Sequence, residues 1–230
     1  MNTKGSRFYL WDLPTRLFHW LLVGAVIASM VSGQLGGNLI DWHGRIGIFI
    51  VGLIVFRLTW GVLGSTYARF SEFFPTPSKL RSYLRGEWQG EGHNPLGALS
   101  VFGLLGLLTA QVGTGLFTND DITFVGPLFD LVSKSMSNRL TGLHHLVSDG
   151  LLILIGLHVA AIFFYGHFKK QKLLKPMLTG WKEGKGEAAR GGGFVPLIVA
   201  LGLAVVAIYG ASGAWLPPLP VPAATETPSW

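Results

Sequence analysis

Cysteine is absent from this chain of 230 residues. Its absence excludes disulfides, cysteine-held iron–sulfur clusters, thiolate catalysis and covalent cofactor attachment through Cys-x-x-Cys-His. Charge is scarce: 13% of the residues are Asp, Glu, Lys or Arg, against about 25% in ordinary soluble domains. With 49% of the chain hydrophobic, there is too little polar surface to clothe a soluble globule. The net charge of +6 raises nucleic-acid binding as a reading. The basic residues, however, sit in the gaps between apolar runs, which a membrane orientation explains better, and no nucleic-acid partner is expected.

Five apolar runs are long enough to cross a bilayer as helices, at about 20 residues for a 30 Å hydrocarbon core. They are residues 17–35, 43–63, 96–117, 144–165 and 194–215. Backbone groups in lipid must be satisfied internally, so each is a helix, and the alternation of a membrane β-barrel is missing. No cleavable leader is evident at residues 1–8, and the first span is expected to be retained. Fourteen lysines and arginines fall in the segments 1–16, 64–95 and 166–193. The opposite side has only Lys134 and Arg139, beside Asp41, Asp120, Asp121, Asp130 and Glu226. The positive-inside rule then predicts a cytoplasmic N-terminus and a periplasmic C-terminus in a bacterial inner membrane. Residues 181–193, rich in glycine and charge, are expected as a flexible cytoplasmic linker to a fifth transmembrane helix at 194–216. Residues 217–230, rich in proline, are expected as an extended periplasmic tail.

Seven histidines remain to be placed. His93 and His167 fall in basic loop regions, where solvation is expected. His19, His43, His144, His145 and His158 lie in or at the ends of apolar helices, where a polar ring is costly and usually marks function. His144 and His158 are 14 residues apart, close to four helical turns, so they share one face at a separation of roughly 21 Å. Ser148, Leu151 and Ile155 complete the stripe between them. His145 points to nearly the opposite face from His158. Depth selects partners: His19 shares a level with His158 near the inner end, and His43 shares one with His144 near the outer end. Two imidazoles facing each other can take both axial positions of one haem iron, an arrangement suited to electron transfer. Zinc would want three or four ligands at one point, and two levels of two do not supply them.

Arg16, Arg45 and Arg57 are candidate partners of haem propionates, with snorkelling to the interface the competing reading for Arg16 and Arg57. Gly44 and Gly47 allow close approach of a macrocycle or a helix. Trp11, Trp20, Trp42, Trp60 and Trp215 read as an interfacial aromatic belt.

Three stretches carry a resemblance. They are RLFHWLL around His19, HGRIGIFIVGLIVFRLTWG from His43, and LHHLVSDGLLILIGLHVAA around His144 and His158. Over residues 8–180 the chain resembles the bacterial cytochrome b561 family, which includes cytochrome b subunits of nickel–iron hydrogenases and small superoxide-oxidising cytochromes. The resemblance implies an all-α integral membrane protein: a four-helix haem-binding bundle over residues 1–180, here with one additional C-terminal transmembrane helix. It also implies two haem b groups with iron ligands His19, His43, His144 and His158. The family often has a carboxylate where this chain has His145, which leaves His144 and His145 as alternatives.

The leading functional expectation is an electron carrier between the quinone pool and a periplasmic redox partner, a c-type cytochrome or an oxidoreductase. The alternative is a superoxide:quinone oxidoreductase, against which the net acidic outer loops argue.

Overall fold

The computed structural model describes residues 6–122 and 124–217. Beyond Pro217, the expected tail lies outside the described residues. Among the described residues five helices are long and apolar enough to cross a membrane: α1 (Leu13–Leu35), α2 (Ile40–Leu63), α5 (Pro95–Gly115), α6 (Lys134–His167) and α8 (Phe194–Ala211). Three short helices, α3 (Phe70–Phe73), α4 (Pro77–Leu84) and α7 (Leu174–Thr179), lie at one end of the bundle together with two strands, β1 (Arg7–Tyr9) and β2 (Trp181–Glu183). That end carries most of the lysines and arginines and is here the basic end. The opposite end, with the 116–133 loop, is the acidic end.

Local chemistry fixes the helix starts. Asp12, Asn94 and Ser133 each turn a side-chain oxygen onto a backbone N–H three residues on, and proline occupies the first turns of α1 and α5, where its missing N–H costs nothing. α6 has 34 residues, about 51 Å at 1.5 Å per residue, and so projects well past a 30 Å core. Its first turns hold the acidic-end loop. Asn119 donates to Ser137 Oγ and Asn138 Oδ1, and Ser137 donates to the Phe117 carbonyl.

The helices associate as two pairs, α1 with α2 and α5 with α6, joined along an α2–α5 seam. α1 and α6 have no comparably close packing, so a crevice opens between the pairs. The core runs along α2 through Ile50, Leu53, Ile54, Phe56 and Trp60, with Phe18, Leu105, Leu108 and Leu151 facing it. α8 packs on the outer flank of α2, where Ala200 and Ala204 are buried and Ile208 lies over Gly52. A Cβ at Gly52 would fall 2.5 Å from Ile208, so the close approach depends on the missing side chain.

At the basic end the structure departs from two expectations. The segment expected as a flexible linker is tethered. β2 pairs antiparallel with β1, Ala189 N–H donates to the Tyr9 carbonyl, Thr66 N–H donates to the Arg190 carbonyl, and the Tyr67 hydroxyl donates to the Glu187 carbonyl. A three-residue strand leaves no periodicity to read in advance. The aromatic belt also divides. Trp20, Trp42 and Trp215 are exposed, whereas Trp11 and Trp60 are buried. The Trp60 indole N–H donates to Asp12 Oδ2 at 2.9 Å, while Asp12 Oδ1 accepts from Thr15 N–H at 2.7 Å. Replacing Asp12 with alanine removes a cap and leaves the Trp60 N–H unpaired. Thermal unfolding in detergent is expected to show a loss of about 2–3 kcal/mol.

Candidate functional site

The crevice encloses a cavity of about 430 Å³ toward the acidic end. His43, from the first turn of α2, and His144, from α6, face each other across it, with ring centroids 6.1 Å apart and planes at 84°. Two metal–imidazole bonds of about 2 Å each place ring centroids at about this separation.

Each ring is held from behind. His43 Nδ1 lies 2.8 Å from the Ser29 carbonyl and 3.3 Å from the Ser29 hydroxyl. His144 Nδ1 lies 2.9 Å from the Gln111 carbonyl and 3.3 Å from Thr114 Oγ1. A carbonyl can only accept, so Nδ1 carries the proton in both rings and each Nε2 is the unprotonated, lone-pair nitrogen, the metal-binding form. The Gln111 amide donates into the His144 lone pair at 3.0 Å. Glycine provides the seats. A Cβ at Gly33 would lie 2.8 Å from His43 Nδ1, and one at Gly115 would lie 2.9 Å from His144 Cε1. The donor set, the spacing and the apolar walls from Ile50, Leu108 and Leu151 fit a bis-histidine haem.

Toward the basic end His19 and His158 lie within electrostatic reach of each other. Their support is thinner. His19 Nδ1 is buried without a hydrogen-bond partner, and His158 Nδ1 meets only the Ser100 hydroxyl, at 3.3 Å. Ser148, Leu151 and Ile155, the stripe between the two histidines of α6, line the cavity as their spacing predicts. His145 is exposed and reaches only the rim. His144 is the ring turned toward His43.

The three arginines serve other partners. Arg16 donates to the Leu178 carbonyl at 2.7 Å, Arg45 lies 5.4 Å over the Trp42 ring, and Arg57 is buried, donating to the Ala68 carbonyl and lying 4.6 Å over Phe70. No lysine or arginine is among the described residues that line the cavity.

His93 corrects the expectation of a solvated side chain. Its ring is sandwiched between Trp11 at 4.6 Å and Phe73 at 4.2 Å, and its Nδ1 is buried without a partner. Hydropathy missed it because the aromatic rings that cover it come from two distant segments. Burial, with the positive charge of Arg57 and the neighbouring His158 adding, pushes its pKa down to about 3. The folded protein therefore keeps His93 neutral where the unfolded chain takes a proton below about 6.5. Stability present above that pH is lost as the pH falls toward 3. Between pH 7 and pH 5 the wild type is expected to lose about 2 kcal/mol relative to His93→Gln, by denaturant titration at each pH.

With this geometry in view, residues 10–180 match the family described as "Prokaryotic cytochrome b561". The chain belongs to that family. It is a multi-pass membrane b-type cytochrome, and its chemistry is electron transfer through haem b. Among similar proteins, the "Probable Ni/Fe-hydrogenase B-type cytochrome subunit" of Azotobacter chroococcum mcd 1 is 22% identical, over 78% of this chain and 90% of its own. That of Bradyrhizobium diazoefficiens is 24% identical, over 76% and 85%. The "Probable Ni/Fe-hydrogenase 1 B-type cytochrome subunit" of Escherichia coli (strain K12) is 23% identical, over 46% and 58%. No solved structure matches. The family match ends before α8, so the fifth helix is an addition to the b561 bundle.

Proposed function

We propose that this cytochrome carries two haem b groups, one held by His43 and His144 at the acidic end and one by His19 and His158 at the basic end. It passes electrons between a periplasmic redox partner and a quinone dissolved in the membrane. Haem supplies a one-electron couple at each level. The protein's part is to fix both axial nitrogens as lone-pair donors, to shut out an open coordination position, and to exclude water with Ile50, Leu108 and Leu151.

The observation that carries this reading is the His43–His144 pair, 6.1 Å apart across a cavity with both Nδ1 protons committed to carbonyls. His144 is the ligand in this reading, with His145 left at the rim. The basic end is cytoplasmic by its lysines and arginines, and the membrane is the bacterial inner membrane. The acidic end then faces the periplasm. Its carboxylates suit a basic patch on the partner. Relatives named as hydrogenase cytochrome subunits support an oxidoreductase of that kind as the partner, ahead of a c-type cytochrome.

Anaerobic stopped-flow of the purified holoprotein with a soluble quinol tests this. Reduction of haem on mixing is expected, followed by reoxidation through a periplasmic acceptor. Haem that a quinol cannot reduce and a quinone cannot oxidise would refute it. A second check uses Gly115→Val, where a branched side chain meets the His144 ring. It is expected to lose the acidic-end haem and keep the other, read as half the pyridine-haemochrome absorbance.

A further inference from the structure

We propose that two copies of this chain pair in the membrane through the outer face of α6, where His145 of each copy donates to the Asp149 carboxylate of the other. The starting point is a carboxylate set among lipid tails with nothing in its own chain to meet it. Neither the haem assignment nor the quinone reading is needed for it.

Asp149 follows His144 by five residues and precedes His158 by nine, about 7.5 Å and 13.5 Å along the helix axis at 1.5 Å per residue. Those two histidines are level with Gln111 and Ser100, both inside the apolar span of α5. Asp149 therefore lies within the hydrocarbon layer. Successive helical residues turn by about 100°, which points Asp149 about 140° away from His144. The stripe that faces the cavity, His144, Ser148, Leu151 and Ile155, does not include it. Asp149 is exposed, and among the described residues its carboxylate has no hydrogen-bond or ion-pair partner. A carboxylate turned toward acyl chains is costly, and such residues almost always pair with another polar group. Acyl chains offer no donor, and the added helix α8 is committed to α2.

The face carries its own complement. His145, one turn before Asp149, is also exposed. Its ring meets that of His144 at 6.3 Å, and among the described residues it makes no hydrogen bond or ion pair. An imidazole always carries at least one N–H, so it can donate to a carboxylate oxygen whichever nitrogen holds the proton. Two copies of a membrane protein share one orientation. A two-fold axis along the membrane normal then sets their α6 helices parallel, with equal residues at equal depth. Such a contact is self-complementary: His145 of one copy meets Asp149 of the other, and the reverse contact forms with it. A helix of unrelated sequence would have to bring its own donor to that depth.

The spacing along α6 agrees. Gly142, Asp149 and Gly156 recur every seven residues, the period of a seam between two parallel helices, and all three are exposed. Nothing lies within 4 Å of a Cβ built at Gly142 or Gly156, so the chain's own packing makes no use of either glycine. Small residues there let a second helix come close enough for the polar pair to meet.

The chain has no cysteine, so a single introduced thiol reports contact between copies. Gly142→Cys lies on the seam, in the turns of α6 that stand outside the lipid. Leu143→Cys, exposed at the same depth and turned about 100° away, is the control. Oxidation in native membranes is expected to give a disulfide-linked product of twice the chain mass from Gly142→Cys, about tenfold faster than from Leu143→Cys. Adding Asp149→Leu or Gly156→Ile to Gly142→Cys is expected to slow that cross-linking by about tenfold, with haem content unchanged. Asp149→Asn, whose amide oxygen still accepts, is expected to keep it. Equal rates for Gly142→Cys and Leu143→Cys, undiminished cross-linking in a haem-replete Asp149→Leu variant, or a product whose mass includes a different polypeptide would each overturn the proposal. Should Asp149→Leu lose its haem and misfold, Gly156→Ile reads the same seam with both polar partners intact, and undiminished cross-linking there would overturn it equally.

Discussion

His144→Ala is expected to halve the haem content of the purified protein while leaving the remaining haem low-spin and six-coordinate. Of the two adjacent α6 imidazoles that line the acidic-end cavity, His144 is the one that meets His43, at a centroid distance of 6.1 Å. His145 is exposed and one position round the helix. To replace its neighbour it would have to rotate α6 by about 100°, the angle between successive residues, and break the Asn119–Ser137 and Asn119–Asn138 bonds that lock the projecting turns. Rescue by His145 is therefore not expected, and His145→Ala should leave the haem content unchanged. The electron path should fail with the ligand: quinol should still reduce the basic-end haem of His144→Ala, but turnover with a periplasmic acceptor should fall by about 10–100-fold or more, the range seen when metal-site support is removed. Pyridine haemochrome against protein concentration, with stopped-flow on the same sample, measures both.

The second large effect is expected from a residue that touches no metal. Gly33→Leu places a side chain where the His43 ring lies, since even its Cβ would come within 2.8 Å of Nδ1. The ring cannot slide along its own helix, and moving it away breaks the bond to the Ser29 carbonyl. Loss of the acidic-end haem is expected, together with destabilisation of about 1–3 kcal/mol from overpacking. Gly24→Ala in the same helix is the matched control: nothing lies within 4 Å of its would-be Cβ, and a glycine-to-alanine change in a helix gains about 0.5–1 kcal/mol. The two variants differ in what their side chains meet, so a common loss in both would point to helix insertion and not to the site.

Much of this arrangement was legible from residue order alone. The five spans follow from hydropathy because lipid admits few other solutions. The pairing of levels follows from the 14-residue spacing of His144 and His158 combined with alternating helix direction. What escaped was whatever depends on contacts between distant segments. α6 begins ten residues before the apolar run, because Lys134–Leu143 stands outside the lipid and carries no hydropathy signal; Ser133 capping the Met136 N–H marks its start. The basic-end cap escaped because strands of three residues show no alternation. His93 and Trp60 looked solvated or interfacial by position; His93 is covered by the rings of Trp11 and Phe73, and Trp60 is buried with its indole N–H on Asp12. The supporting residues of the site, Ser29, Gly33, Ser100, Gln111 and Gly115, share one faint signal. They are small or polar positions in otherwise apolar helices, and only the fold shows which of them face an imidazole.

The most direct test of the central claim is the haem-to-protein ratio of the full chain expressed with sufficient haem, measured by pyridine haemochrome and paired with low-temperature electron paramagnetic resonance of the oxidised protein. Two haem b per chain, each with a low-spin bis-histidine signal, is the result this account predicts. A colourless protein, a single haem, or a high-spin signal from an open coordination position would contradict it.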